Sequence, residues 1–189
     1  MKFIKTKIPE VIIIEPQIWE DERGYFFESF RNDLFEKEIG NINFLQDNES
    51  KSKFGTLRGF HYQMPPFAQS KLVRVISGKV LDFVLDIRKG SPTFCKYIVQ
   101  ELSSENKKQM FIPRGFAHAF LVLSNTAIFQ YKVDNTYSKE SEEGILFTDV
   151  KISNVLNIKK ENITLSKKDK LLPLLKDAKL FDYGMNLYE

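Results

Sequence analysis

The sequence has very little cysteine and histidine, no long apolar run and no large excess of one charge. Cys95 is its single cysteine, so no disulfide can form within the chain. The formal net charge is only +3 with scattered lysines, which excludes the basic stripe of a nucleic-acid-binding protein. No apolar run approaches the ~18 residues that span a membrane, and the run at residues 11–14 is shorter than the ~7–15 residues of a signal-peptide core. We therefore expect a cytoplasmic protein without a nucleic-acid or membrane partner.

Length and composition are those of one globular domain. The chain has 189 residues, of which 42% are hydrophobic and 28% charged; this is enough for one core and short for two. At least eight short strand-like runs follow one another, separated by turn residues, and few stretches have a helical pattern. This density of strands predicts a mainly β protein, a sandwich or barrel of jelly-roll topology, in one domain over residues 1–189.

Two stretches predict helix. Residues 31–39 have apolar side chains at helical spacing and are followed by Gly40, a common helix stop. Ser166 and Asp169, with Pro173 close behind, resemble the capped start of a C-terminal helical segment. Helix is thus expected only as short additions to the strands.

Two further local patterns concern the strands themselves. Residues 50–54 predict a polar loop. Residues 71–76 and 79–87 predict two strands joined by a tight hairpin turn at Ser77-Gly78.

Polar side chains cluster between Gly55 and Gly78, and they include one of the two histidines. His61 and Gln63 occupy alternate positions and so share one face of a strand. The prolines of residues 64–67 cannot continue a sheet, because proline lacks the backbone donor. We expect Arg58, His61, Gln63 and Lys71 to be carried by two strands joined by a rigid turn.

Two short motifs resemble the metal-binding motifs of cupin barrels. The second motif is present and ends at His118. In the first, Gln63 stands where a second histidine is usual, and Lys71 stands where a glutamate is usual. A divalent ion needs three or four ligands with free lone pairs, whereas an ammonium has none. The pattern therefore predicts a fixed positive charge in place of a metal.

A positive charge in a partly dry barrel stabilises a developing oxyanion, such as the enolate of a ketone. Losing one such group commonly costs ~2.7–4 kcal/mol of transition-state stabilisation. Lys71 is therefore a candidate electrophile. His61 is a candidate base, because histidine exchanges protons near neutral pH.

Seven segments, in order, form a pattern that covers nearly the whole chain. They are Asp21-x-Arg-Gly-x-Phe-x-Glu-x-Phe30, Gln46-Asp-Asn48-x-Ser50, Leu57-Arg-Gly-Phe-His-Tyr-Gln63, Gln69-Ser-Lys-Leu-Val73, Phe111-Ile-Pro-Arg-Gly-Phe-Ala-His118, Tyr131-Lys132 and Ser166-x-Lys-Asp169. This pattern resembles the dTDP-4-dehydrorhamnose 3,5-epimerase family. The resemblance implies a homodimeric cupin that needs no cofactor and no metal. It also implies inversion of the carbons beside the C4 ketone of a nucleotide-diphosphate-linked 4-keto-6-deoxy sugar.

The resemblance also implies roles for single residues. His61 would remove the proton from C3 or C5, with Asp169 as its carboxylate partner. Lys71 would hold the enolate oxygen, and Tyr131 would return a proton from the opposite face. Substrate-binding roles are implied for Arg23, Arg58 and Lys168 near the diphosphate or sugar, and for Glu28, Gln46, Asn48, Gln63, His118 and Glu142 around the rest of the pocket.

Some alternatives stay open. Ala119 and Phe147 depart from the usual family residues, which leaves room for a relative acting on GDP-linked 4-keto heptoses or on C3 alone. Asp169 has a purely structural reading as part of a helix cap with Ser166. Two alternatives belong to other functional classes: a metal-dependent cupin and a non-catalytic sugar-binding cupin. Lys71 argues against the first, and the four catalytic candidates together argue against the second.

Overall fold

The chain folds mainly into strands. The computed structural model describes residues 1–150, 156 and 158–188. It has one α-helix in this part of the chain, α1 (Asn32–Glu38), as the helical spacing predicts. The strands are β1 (Lys2–Lys5), β2 (Ile12–Glu15), β3 (Ile18–Asp21), β4 (Gly24–Phe27), β5 (Gln46–Lys53), β6 (Leu57–Gln63), β7 (Lys71–Ser77), β8 (Lys79–Asp86), β9 (Arg88–Lys89), β10 (Tyr97–Ser103), β11 (Gln109–Ile112), β12 (Phe116–Val122), β13 (Thr126–Val133), β14 (Glu142–Gly144) and β15 (Phe181–Asp182).

Two antiparallel sheets form the body of the molecule. One has six strands in the order β1-β2-β11-β7-β13-β5, and the other has five in the order β10-β8-β12-β6-β14. Neighbours in a sheet are mostly distant in sequence, as in a jelly roll. The mainly β, jelly-roll prediction is confirmed, with two packed sheets in place of a fully closed barrel.

The core lies between the two sheets. Val73 and Phe129 of the six-stranded sheet pack in one buried cluster with Val84 and Phe120 of the five-stranded sheet. The rings of Phe120 and Phe129 stack with centroids 4.2 Å apart. Alternation along each strand places every second side chain in this layer.

Each sheet is also covered on its outer face. Phe35 of α1 packs against Phe30, Phe44 and Phe111 outside the six-stranded sheet. The segment that follows residue 158 covers the five-stranded sheet, where the Tyr62 hydroxyl donates a hydrogen bond of 2.6 Å to the Lys179 carbonyl. The C-terminal part of the chain is thereby brought to the strand that carries His61.

Three local expectations need correction. Ser77-Gly78 is not a hairpin turn, because β7 and β8 belong to different sheets; Gly78, with φ of +82°, turns the chain from one sheet to the other. Residues 50–53 are not a loop but continue β5, where alternation of outward polar side chains is compatible with an edge strand.

The third correction concerns the C-terminal helical segment. It consists of single 3-10 turns, Lys160–Asn162 and Asp169–Leu171, instead of a capped α-helix. Leu172 is already extended, with ψ of 146°, because a residue before proline is disfavoured in the helical region. In the described part of the chain, no helix has the length and apolarity needed to cross a membrane.

Candidate active site

A cavity of about 270 Å³ opens between the two sheets. The six-stranded sheet contributes side chains from β5, β7 and β13, and the five-stranded sheet contributes side chains from β6 and β14. Seven residues named from the sequence, all polar, reach it from these five strands. The cavity is lined by Gln46, Asn48, His61, Tyr62, Gln63, Gln69, Lys71, Tyr131, Tyr137 and Glu142.

A bulge in β6 determines which side chains face this cavity. Against β12, His118 pairs with His61 and Phe120 pairs with Arg58. These pairs are three residues apart on β6 but only two residues apart on β12, so β6 has one extra residue between them. The extra residue puts Arg58 and His61 on the same face, although simple alternation would separate them. Gly59 occupies the bulge with φ of +107°, and a Cβ there would lie 2.8 Å from Ala119 Cα and overlap the His118 carbonyl oxygen.

His61 and Asp169 form a hydrogen-bonded pair. His61 Nε2 lies 2.6 Å from Asp169 Oδ1, and the Asp169 side chain is only 5% exposed. Burial alone would raise the pKa of Asp169, but the hydrogen bond and charge of His61 and the hydrogen bonds of Ser166 lower it below its usual value. An ionised Asp169 accepts a hydrogen bond from the Nε2–H of His61, and in this tautomer the ring lone pair lies on Nδ1.

Lys71 begins β7 and points into the same cavity. Burial lowers its pKa from 10.5 to about 8, while the charges of Asp82 and Glu142 oppose this shift. The ammonium is thus charged at neutral pH but poorly compensated. A poorly compensated cation in a confined site attracts an anionic oxygen strongly.

Asp82 is a residue that the sequence analysis did not single out. Both its carboxylate oxygens lie 3.0 Å from His118 Nε2, and its side chain is fully buried. Burial lowers the pKa of His118 and raises that of Asp82, although each partner opposes the shift of the other. The signal for Asp82 is its place beside Val80 and Val84 on the inward face of β8, where a lone carboxylate needs a partner.

His118 therefore lies behind the cavity and not in its wall. Its ring stacks on Phe129 at 5.9 Å, and it holds Asp82 close to Lys71. The contact with substrate that the resemblance implies for His118 stays a prediction.

Tyr131 faces the cavity from β13, where it pairs in register with Val73 of β7 and Asn48 of β5. Burial, together with the charge of Glu142, raises the pKa of its phenol, and Arg58 opposes the shift. The hydroxyl is therefore protonated at neutral pH and can donate a proton.

An ion pair closes one side of the cavity mouth. Glu142 Oε2 lies 2.5 Å from Lys168 Nζ and accepts a hydrogen bond of 2.7 Å from the Tyr137 hydroxyl. Burial alone would raise the pKa of Glu142, but these two hydrogen bonds lower it. Tyr137 is 57% exposed; nothing in its sequence context marked it as part of the site.

Gln46, Asn48 and Gln63 also line the cavity, but they differ in whether their amides are free to bind a ligand. The Gln46 amide donates a hydrogen bond of 2.7 Å to Asn48 Oδ1, at the start of β5. Gln63 is buried, and its amide is used by the backbone of Phe67, Thr136 and Ser138. Gln63 thus organises the loops around the cavity, while Gln46 and Asn48 keep groups for a ligand.

Comparison with known proteins decides the family. The family model described as dTDP-4-dehydrorhamnose 3,5-epimerase matches residues 5–177. The chain belongs to this family. It is 52% identical over 170 residues to the dTDP-4-dehydrorhamnose 3,5-epimerase of Shigella flexneri, across 89% of this chain and 93% of that protein. It is 49% identical over 181 residues to the protein of the same name from Salmonella typhimurium, across 95% and 98% of the two chains.

Solved structures of epimerases are also similar to this chain. A dTDP-6-deoxy-D-glucose-3,5-epimerase from Legionella pneumophila, in complex with dTDP-4-keto-L-rhamnose, matches with a TM-score of 0.92 and 44% identity, over 97% of this chain and 99% of that one. A 3'-monoepimerase from Streptomyces bikiniensis, in complex with dTDP-quinovose, matches with a TM-score of 0.83 and 31% identity, over 91% and 87%.

Of the residues that resemblance to the epimerase family places at substrate, Arg58, His118 and Lys168 lie beside the cavity without lining it, whereas Arg23 and Glu28 lie away from it. Arg23 sits at the turn of the β3–β4 ribbon, pairs with Asp21 and has a side chain that is 86% exposed. Glu28 follows β4 and lies 3.6 Å from Arg31. The ribbon is a separate two-stranded sheet, so a single copy of the chain does not bring either residue to its own site.

Two of the four positions that hold metal ligands in other cupins carry Gln63 and Lys71 in this epimerase-family chain. In the described residues, no group of three histidine, cysteine, aspartate or glutamate side chains is placed to hold a metal ion. The Gln63 amide is already hydrogen-bonded to the backbone. The Lys71 ammonium carries a proton at neutral pH and so has no lone pair to offer a metal ion.

Proposed function

We propose that the chain is a cofactor-independent epimerase that inverts C3 and C5 of a dTDP-linked 4-keto-6-deoxy sugar. One observation carries the proposal: the His61–Asp169 pair, Lys71 and Tyr131 converge on one cavity from opposite sheets. These are a base, an electrophile and an acid, which are the groups needed to form an enolate and protonate it again.

Proton removal begins at His61. A hydrogen on a carbon beside the C4 ketone is acidic because its loss gives an enolate. Nδ1 of His61 takes the proton, and the carboxylate of Asp169 stabilises the imidazolium that forms. The Lys71 ammonium stabilises the negative charge on O4.

Inversion follows from the arrangement of the two sheets. His61 lies on β6 of the five-stranded sheet, whereas Tyr131 lies on β13 of the six-stranded sheet. A sugar ring between the sheets therefore presents one face to the base and the other to the phenol. The Tyr131 hydroxyl donates its proton to the second face, and the carbon is inverted.

The nucleotide has cationic and aromatic groups available at the mouth. Arg58 and Lys168 supply positive charge for the diphosphate, and arginine suits phosphate because its fork binds two oxygens. The exposed ring of Tyr137 offers a flat surface for a base. Support for dTDP in particular comes from the Legionella pneumophila relative, whose complex contains a dTDP sugar.

The test is solvent exchange. The protein is incubated in deuterated water with dTDP-4-keto-6-deoxyglucose, and in parallel with CDP- and GDP-linked 4-keto sugars, including a heptose. Deuterium at both C3 and C5 of the dTDP sugar is expected. Label at C3 alone would make the enzyme a 3-epimerase, and label confined to the GDP-heptose would replace the substrate. No label with any sugar would leave a non-catalytic sugar-binding protein.

The proposed enzyme is a homodimer in which each ribbon completes the partner's site. Arg23 and Glu28 lie outside their own cavity, and the β3–β4 ribbon exposes three large apolar side chains, Trp19, Tyr25 and Phe26. Such a patch is typical of an interface. A two-fold dimer would place the ribbon of one copy at the cavity of the other.

The proposal takes residues 1–189 as one cupin-type epimerase domain, supported by the packing of the C-terminal segment on the five-stranded sheet. It assigns the enzyme to the cytoplasm, where nucleotide diphosphates are made and used.

A further inference from the structure

A polar cluster lies where β7 begins and β13 ends, in which Ser70 and Asp134 are buried and Tyr188 is about half exposed. It consists of Ser70, Arg114, Asp134 and Tyr188, which we call the strand clamp. Ser70 directly precedes Lys71, and Asp134 directly follows Val133, the register partner of Lys71. The clamp is thus one residue away from the strand pair that carries Lys71 and Tyr131.

Asp134 is the centre of the clamp. The Ser70 backbone N–H donates a hydrogen bond of 2.6 Å to Asp134 Oδ1, and Arg114 Nε donates one of 3.1 Å to Oδ2. The Asp134 side chain is only 4% exposed. A buried carboxylate with both oxygens occupied resists displacement, because breaking either bond leaves a charge without its partner.

Tyr188 closes the clamp from the C-terminal part of the chain. Its hydroxyl lies 2.8 Å from Ser70 Oγ and accepts a hydrogen bond of 3.2 Å from the Arg114 backbone N–H. Arg114 in turn donates a hydrogen bond of 2.6 Å to the Leu187 carbonyl, and its guanidinium lies 4.9 Å from the Tyr188 ring centroid. One phenol therefore ties the loop before β7 to the loop after β11.

We propose that Tyr188 is a positioning residue for the epimerisation reaction: through Ser70 it fixes the start of β7 and so holds the Lys71 ammonium where the enolate oxygen forms. The inference rests on the proposed function. Lysine has a long and flexible side chain, and burial of its charge favours an escape toward water. Fixing the backbone at Ser70 limits the movement of the Lys71 side chain toward water. Such a limit matters because small displacements of a catalytic group reduce rates steeply.

The action of Tyr188 on Lys71 is positional, not electrostatic. The charges that act on the Lys71 ammonium are those of Asp82 on β8 and Glu142 on β14, with the His118 ring of β12 also nearby. Asp134 is neutralised by Arg114, and the Tyr188 phenol carries no charge. A variant that lacks only the hydroxyl therefore leaves these charges unchanged and tests position alone.

The test compares Tyr188→Phe with Tyr183→Phe. Tyr183 is a matched control, because its ring also lies over an arginine, Arg88, at 5.2 Å, in the same C-terminal segment. Tyr188→Phe is expected to lower kcat about 5- to 10-fold with KM unchanged. The alkaline limb of its pH–rate profile should also move to higher pH. A less confined Lys71 ammonium is better hydrated, so its pKa rises from about 8. Tyr183→Phe is expected to match wild type in all three measurements.

Ser70→Ala removes the same hydrogen bond from the other side. Its kcat should also fall, and the double variant should be no slower than Tyr188→Phe, since Tyr188→Phe already removes this contact together with the hydrogen bond from the Arg114 N–H. The inference is overturned if Tyr188→Phe keeps wild-type kcat and pH profile, if it behaves like Tyr183→Phe, or if its loss only reflects less folded protein by thermal denaturation. If wild type itself incorporates no deuterium, the proposed function fails, and that result is distinct from these.

Discussion

Asp169 Oδ1 lies 2.6 Å from Nε2 of His61, although 108 positions separate the two residues. The Asp169 backbone N–H donates a 3.0 Å hydrogen bond to the Ser166 hydroxyl, which sets the 3-10 turn that aims the carboxylate. The backbone of Asp169 thus bonds to Ser166 while its carboxylate contacts His61. The catalytic role of Asp169 stays a prediction.

Asp169→Asn should nearly abolish turnover. The amide keeps the shape of the side chain but carries no charge to stabilise the imidazolium, and loss of such a carboxylate costs roughly 10²–10⁴-fold in kcat. Steady-state epimerisation of the dTDP sugar measures the effect. Ser166→Ala, which loosens the turn but keeps the carboxylate, should retain far more activity. Equal kcat in Asp169→Asn and wild type would remove Asp169 from the mechanism.

Tyr131→Phe should separate proton exchange from inversion. The base and the enolate site remain, so deuterium still enters at the carbon facing His61, while product forms at least ~100-fold more slowly because the acid is missing. Mass spectrometry follows the label and chromatography follows the product. His61→Ala, as the companion variant, should lose both. An inverted product at normal rate from Tyr131→Phe would assign the acid to another group.

The alkaline limb of the pH–rate profile should reflect Lys71. Burial lowers the Lys71 pKa to about 8, so kcat/KM should fall as pH rises through about 8, when the ammonium becomes a neutral amine. Lys71→Arg keeps its charge throughout this range, and any residual activity should lack that limb. A wild-type rate that stays constant up to pH 10 would contradict this assignment.

Complementation tests the shared site. Arg23→Ala and His61→Ala are each expected to be nearly inactive alone. If Arg23 serves the partner's cavity, a mixed dimer of the two variants has one intact site, and a statistical mixture recovers roughly a quarter of wild-type activity. Refolding or co-expression of the pair measures this, with sedimentation to confirm the dimer. Mixtures of Asp169→Asn with His61→Ala are the control. Both changes affect the same cavity, so a mixed dimer of these variants has no intact site and should recover no activity. No recovery with Arg23→Ala would show that the ribbon serves its own chain.

Chelators should leave activity unchanged. Lys71 occupies the place of a metal ligand, and its charge repels a divalent cation. Deuterium incorporation is measured before and after treatment with EDTA, and again after addition of zinc, iron or manganese. An activity that EDTA removes and one of these metals restores would support the metal-dependent cupin.

The sequence predicted which residues lie together at the site better than the path of the strands. His61, Lys71 and Tyr131 were accessible because each lies in a motif with unusual residue types at characteristic spacing. The strand periodicity of residues 71–87 was also read correctly. The sheet to which each strand belongs was not, because alternation along a strand does not encode its neighbours.

Long-range relationships account for the other differences. Asp82 acquires its importance only from His118, which reaches it across neighbouring strands of one sheet. Arg58 shares a face of β6 with His61 only through a bulge whose position depends on β12. Arg23 lies outside its own cavity, and the arrangement that would bring it to a substrate involves a second copy. None of these can be read from residues close together in sequence.

The close approach of β6 and β12 at Gly59 has a practical consequence. Position 59 forms no part of the cavity wall, yet any side chain there collides with the backbone of the neighbouring strand. Directed evolution toward other sugars should therefore keep codon 59 constant. Libraries are better made at Gln46 and Asn48, which line the cavity from an edge strand.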